Sequence, residues 1–199
     1  MARQRAADYD AKRTAIREAA AALFAERGFD GSSMSDLAAR CATTKSALYH
    51  YYQSKDEVLH DVLAEHIGRV LGVVRAAVAE AAVGDPAGRL ELIVGRLLAA
   101  YASADHQHKV QLNELWRLPE PQRHAVMDMQ REVVRLVADT LAEINPNLAR
   151  TEGLLKPVTM SLFGFLNWHY MWFREDGPIS RPAYAKLATR LFLDGARVL

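Results

Sequence analysis

The sequence predicts an all-α fold of about nine helices, and three observations carry that reading. Ala, Leu, Arg and Glu dominate the 199 residues, and these are strong helix formers. No β-branched run alternates over the length of a strand. Gly and Pro fall mainly where apolar periodicity breaks off. Half of the residues are apolar and a quarter are charged, which excludes disordered and collagen-like classes.

The first helix is expected over about Asp8–Arg27, with Ile16, Ala20, Leu23 and Phe24 on one face. Gly28 ends it, because glycine takes the left-handed cap conformation. Ser33 and Asp36 have capping-box spacing before a short second helix, Met34–Arg40. Cys41-Ala42-Thr43 reads as a tight turn, with Cys41 a small packing residue. A third helix follows over about Thr44–Tyr52. Ser54 caps a long fourth helix that runs to about Val83, with Asp56 and Glu57 in its first turn. Later breaks divide the rest into helices of about 86–103, 107–117, 120–143, 149–175 and 181–198. Pro157 kinks the eighth or marks a late start.

Two short helices joined by a three-to-four-residue turn predict a helix-turn-helix, whose second helix enters a DNA major groove. Thr44, Lys45 and Ser46 supply donors and one charge there, and Tyr49, His50 and Tyr51 supply polar-tipped rings. Leu48 and Tyr52 lie on the opposite face and are expected to pack inward. Lys55 and Ser33 stand at helix N-termini, where phosphate binding is favoured. Arg3, Arg5, Lys12, Arg13 and Arg17 face only Asp8 and Asp10 within the first 17 residues, as a flexible basic arm beside DNA would. Net charge adds little: residues 1–60 hold nine Lys/Arg against eight Asp/Glu, and the whole chain is +1.

The run Phe24-Ala-Glu-Arg-Gly-Phe-Asp-Gly-Ser-Ser-Met-Ser-Asp-Leu-Ala-Ala-Arg40, then Thr44-Lys-Ser-Ala-Leu-Tyr-His-Tyr-Tyr-Gln-Ser-Lys-Asp-Glu-Val-Leu59, closely resembles the TetR family of bacterial transcriptional regulators. The detailed resemblance covers about 12–60. It implies that Thr44, Lys45, Ser46, Tyr49 and His50 meet bases or groove. It implies that Tyr51, Lys55 and the Ser33 region meet phosphates, and that Phe24, Leu37, Leu48 and Tyr52 form a small core. The chain departs from the family pattern at Cys41-Ala42-Thr43, where Ala-Gly-Val is usual, and at Ala47, which replaces a frequent Thr. Ala42 in place of the turn glycine costs about 1 kcal/mol if its φ is positive.

The resemblance divides the chain into a helix-turn-helix domain, 1–54, and a helical ligand-binding and dimerisation domain, 55–199. It implies a homodimer built on the last two long helices and a palindromic operator with half-sites about 34–36 Å apart. Leu155, Val158, Leu162, Phe165, His169 and Trp172 form one stripe of the eighth helix; Met160, Gly164 and Met171 form another. One face is left for a partner and one for a pocket. The candidate effector pocket is Gln111, Trp116, Phe165, Asn167, Trp168, His169 and Trp172, a dense aromatic set with a few polar groups; the alternative is plain core. The Asn167–Pro178 segment resembles regulators of lipid and aromatic-acid catabolism, several of which answer to acyl-coenzyme A thioesters. Arg89, Arg96, Arg117, Arg123, Arg131 and Arg174 are available cations for thioester phosphates.

The expectation is thus a ligand-responsive repressor, with operator DNA, a second copy and a small hydrophobic or acyl-coenzyme A effector as partners. An activator, a helical enzyme and a protein-interaction module are the rival readings. No catalytic residue, cofactor or metal site is expected, since no nucleophile elbow, phosphate loop or zinc motif occurs. His106 and His108, two apart, read as a solvated loop end. A single cysteine and no apolar leader or span point to a reducing, cytoplasmic setting without a membrane partner.

Overall fold

The computed structural model describes residues 2–198, with side chains from 7 to 197. In chain order the helices are α1 (Ala2–Arg27), α2 (Met34–Arg40), α3 (Lys45–Leu48), α4 (Lys55–Glu80), α5 (Pro86–Ala102) and α6 (Asp105–Glu114). They continue as α7 (Glu120–Ile144), α8 (Asn147–Arg150), α9 (Leu155–Asn167) and α10 (Arg181–Val198). Short 3₁₀ turns occupy Leu115–Arg117 and Trp168–Met171. Two compact units result, 1–67 with 104–127, and 68–103 with 128–199.

In the first unit the expected face of α1 is the core face. Ile16, Ala20, Leu23 and Phe24 are all buried, joined by Leu37, Leu48, Tyr52, Val58 and Leu59. Gly28 ends α1 with φ +75°. Ser33 caps α2: its side chain accepts from the Asp36 N–H at 3.1 Å, and its own N–H donates to Asp36 at 2.9 Å. The turn after α2 is a Schellman closure. Thr43 N–H reaches Ala38 O at 3.0 Å and Ala42 N–H reaches Ala39 O at 3.1 Å. This puts Ala42 at φ +49°, the left-handed region. α3 is shorter than expected, because after Leu48 the chain tightens to 3₁₀ bonds, His50 N–H to Ala47 O and Tyr51 N–H to Leu48 O.

The first unit also includes α6, which packs on α1. Glu114 of α6 also accepts from the Phe29 N–H at 3.2 Å. His108 is buried, with its ring 5.9 Å from that of His66. It is not part of a solvated loop end, because α6 starts at Asp105 and turns it toward the core.

The second unit is built on α5. Leu90, Ile93, Val94, Leu97 and Leu98 are fully buried against Val137, Leu141, Leu162, Leu166 and Ala188. Asn145 at the end of α7 donates to Ala196 O of α10 at 2.8 Å. The expected eighth helix, 149–175, is three pieces. Gly153 at φ +76° separates α8 from α9. Pro157 falls in the first turn of α9, where its missing N–H costs nothing, so the late start holds. The 3₁₀ turn after Asn167 then ends the run. No described helix is long and apolar enough to cross a membrane.

Relieving the left-handed alanine is expected to stabilise the fold. Ala42→Gly should raise unfolding free energy by about 0.5–1 kcal/mol, the left-handed cost less the extra chain entropy of glycine. Urea denaturation measures it, and a lowered midpoint would contradict the strain.

Candidate nucleic-acid interface and effector region

The exposed row of the first unit is short and well anchored. Thr44 caps α3, its Oγ1 accepting from the Ala47 N–H at 3.1 Å. Leu48 and Tyr52 are 0% exposed and fix the inner face. Thr44, Lys45, Ser46, Tyr49 and His50 are therefore left in solvent. Lys45 Nζ lies 6.0 Å from the Tyr49 ring centroid, one turn away. Such a row offers hydroxyl, ammonium, phenol and imidazole groups, the kinds of donor and acceptor that read base edges.

Three expected phosphate contacts sit differently. Both donors of Ser33 are committed to Asp36, whose carboxylate occupies the start of α2. The hydrogen bond from the Ser33 hydroxyl, above all, holds that carboxyl below its ordinary range. Lys55 turns inward: Nζ donates to Phe29 O at 2.6 Å and Ser32 O at 2.7 Å, 4.0 Å from the Phe29 ring centroid. Tyr51 is half-buried, stacked on Tyr9 of α1 at 4.9 Å. The basic arm is changed too, since α1 begins at Ala2 and is helical through that stretch. Arg13 pairs with Asp61 at 3.2 Å, and Arg17 pairs with Asp61 and Glu65 at 3.6 and 3.9 Å. Lys12 is exposed, whereas the side chains of Arg3 and Arg5 lie outside the described residues. Sequence spacing missed the partners of Lys55, Arg13 and Arg17 because each lies far away in the chain.

The seven candidate pocket residues do not share one unit. Gln111 and Trp116 belong to the first, where Gln111 is half-buried and Trp116 is 66% exposed beside Arg123. The other five belong to the second. Phe165, Trp168 and Trp172 line an open groove of about 480 Å³ with Gly164 and Tyr184. His169 is buried at its back, stacked on Phe173 at 4.2 Å and tilted against Tyr184 at 4.8 Å. Asn167 is half-buried, and its Oδ1 is a buried acceptor without a hydrogen bond. Arg181 approaches His169 Nδ1 at 3.5 Å.

The expected apolar stripe of the eighth helix is split. Thr159, Leu162, Phe163 and Leu166 face the core, while Met160, Phe165, Trp168, Met171 and Trp172 are exposed. Leu187 and Leu191 of α10 are exposed as well. A run of large apolar side chains left in water marks an interaction face. Of the six candidate cations, five are ion-paired: Arg89 with Glu143, Arg96 with Glu80, Arg117 with Asp30, Arg131 with Asp128 and Arg174 with Asp176. Arg123 lies over Trp116.

Comparison with known proteins decides the family. The profile for bacterial regulatory proteins of the tetR family matches residues 16–62, and that for the tetracyclin repressor-like C-terminal domain matches residues 83–196. The chain belongs to the TetR family. A TetR-family transcriptional regulator from Bordetella parapertussis 12822 is 39% identical, covering 94% of this chain and 96% of its own, with a TM-score of 0.87. The transcriptional repressor KstR2 of Mycobacterium tuberculosis (strain ATCC 25618 / H37Rv) is 24% identical, covering 96% of this chain and 95% of the relative. The fold is also that of AibR in complex with isovaleryl coenzyme A and operator DNA, at 23% identity and a TM-score of 0.78, covering 90% and 97%. As a TetR-family member the chain is a DNA-binding transcriptional regulator, with an N-terminal helix-turn-helix and a C-terminal helical domain.

The aromatic cluster makes stability pH-dependent. Burial first, then the Arg181 charge, lowers the His169 pKa from 6.5 to about 4. The unfolded chain takes up this proton as pH falls through 6.5, while the folded chain resists until about 4. This contribution is therefore complete above pH 6.5 and is lost progressively toward pH 4. Denaturation midpoints at pH 7 and pH 5 should differ less in His169→Phe than in the parent chain; an equal difference would remove His169 as the cause.

Proposed function

We propose that the chain is a repressor that binds a palindromic operator as a homodimer and is released by a small hydrophobic or acyl-coenzyme A-type effector. The observation that carries this reading is the exposed Thr44–His50 row, held rigid by its fully buried underside at Leu48 and Tyr52. DNA reading is assigned to 1–54 and effector and dimer functions to 55–199. In this reading Thr44, Lys45, Ser46, Tyr49 and His50 meet the groove and Tyr51 lies beside the backbone. Repression is supported by the similarity to KstR2, a transcriptional repressor.

The homodimer is supported by the apolar side chains that α9 and α10 leave in solvent, Met160, Leu187 and Leu191. A second copy related by a two-fold axis would bury the same face on both chains. An acyl-coenzyme A effector is supported by the fold shared with AibR, which is described in complex with isovaleryl coenzyme A and operator DNA. Its acyl end suits aromatic side chains such as Phe165, Trp168 and Trp172, with Asn167 and His169 as polar groups. The effector must bind the DNA-incompetent state better, and a coupling of 1–3 kcal/mol changes operator affinity roughly 5–150-fold.

The test has two parts. Fluorescence anisotropy with promoter fragments from the chain's own locus should show binding that exceeds binding to random duplex. Lys45→Ala and Tyr49→Ala should each weaken the specific complex by ~1–3 kcal/mol, with less effect on random DNA. Equal losses on both would make them backbone contacts, and no binding to any fragment at low salt would end the reading. Native mass spectrometry of the dimer from its host should then identify a retained ligand. Adding that ligand should lower operator affinity; unchanged affinity would exclude it as the inducer.

A further inference from the structure

Two charged side chains of α4 point back into the helix-turn-helix. Lys55 holds the carbonyl oxygens of Phe29 and Ser32 at 2.6 and 2.7 Å, in the loop that delivers the α2 cap. Asp61 follows six residues later, about 9 Å along the helix axis. It accepts the Tyr52 hydroxyl at 2.6 Å. Tyr52 itself closes the turn after α3, its N–H donating to Leu48 O at 3.1 Å.

The ring of Tyr52 fills core space that any aromatic would fill. The hydroxyl adds direction, because a bond to a carboxylate is short, strong and oriented. Arg13 and Arg17 of α1 close on the same carboxylate at 3.2 and 3.6 Å. The Arg13 guanidinium also lies 5.5 Å from the Tyr52 ring centroid. One helix thus grips the reading head at both ends: Lys55 at the entry to α2, Asp61 at the exit of α3.

We propose that Lys55 and Asp61 are positioning residues for DNA recognition, which hold α2 and the Tyr49–Tyr51 turn in register on α4. This rests on the regulatory reading above. It gives Lys55 a role different from a phosphate contact, and the two roles differ in measurable ways. A lysine on a phosphate releases a counterion and acts on every sequence alike. A lysine that positions a reading surface acts on discrimination and leaves the salt slope alone.

The experiment compares full-length Lys55→Met, Tyr52→Phe and Asp61→Asn with the parent chain. Each is titrated onto an operator fragment and onto a random duplex of equal length, over a range of salt. Each variant should lose about tenfold on the operator, the scale of one hydrogen bond to a charged group. Random-duplex affinity and salt slope should match the parent. Tyr52→Phe combined with Asp61→Asn should lose little more than Tyr52→Phe alone, since they share one contact. A salt slope reduced by about one unit in Lys55→Met, with equal losses on both duplexes, would make Lys55 a phosphate ligand and overturn the proposal. Variants that discriminate as well as a discriminating parent would overturn it too. A parent that binds no duplex would overturn the regulatory reading as well. If Tyr52→Phe lacks the parent's circular dichroism and melting profile, Lys55→Met and Asp61→Asn decide the matter on the same criteria.

Discussion

Everything at the DNA-reading end depends on burying Leu48 and Tyr52. A four-residue helix has no stability of its own, because nucleation costs more than one turn returns. α3 exists because those two side chains are fully buried, and because Thr44 satisfies the Ala47 N–H, one of its free donors. With the inner face fixed, the outer face has no choice of direction. Lys45, Ser46, Tyr49 and His50 are presented to solvent as a consequence of apolar packing beneath them.

The charges of this unit mostly serve the protein itself. Arg13 and Arg17 meet Asp61, Arg40 meets Glu26 in a two-pronged contact at 2.7 and 2.6 Å, and Arg27 meets Asp36 at 3.5 Å. A nearly neutral balance in residues 1–60 is therefore no obstacle to binding an anion. The cations in ion pairs add little field, while Lys12 and Lys45 remain exposed. Among the described residues this surface offers hydroxyls, rings and the two ammonium groups of Lys12 and Lys45.

The second unit divides one helical run between two duties. α9 gives Leu162, Phe163 and Leu166 to the core and leaves Met160 and Phe165 outside. The 3₁₀ turn then changes the angular phase, so His169 goes in while Met171 and Trp172 stay out. His169 is tolerated among rings because burial, and then the neighbouring Arg181 charge, keep it neutral.

Local signals were legible because they act within a few residues. The Gly28 stop, the Ser33–Asp36 capping box, the strained turn at Ala42 and the inward face of α1 and α3 all follow from spacing and backbone sterics. The same holds for the late start at Pro157, one of two options that sequence allowed. What tertiary structure alone decided is where the polar atoms end. Lys55 looked like a phosphate ligand because a cation at a helix start suits one, yet carbonyls 26 and 23 residues away claim it. Arg13 and Arg17 of α1 were claimed in the same way by Asp61 and Glu65, and the aromatic set was split between two units. An apolar period records which face is buried, but a charged side chain takes whichever partner the folded chain brings within about 3 Å, and only the packed structure fixes that partner.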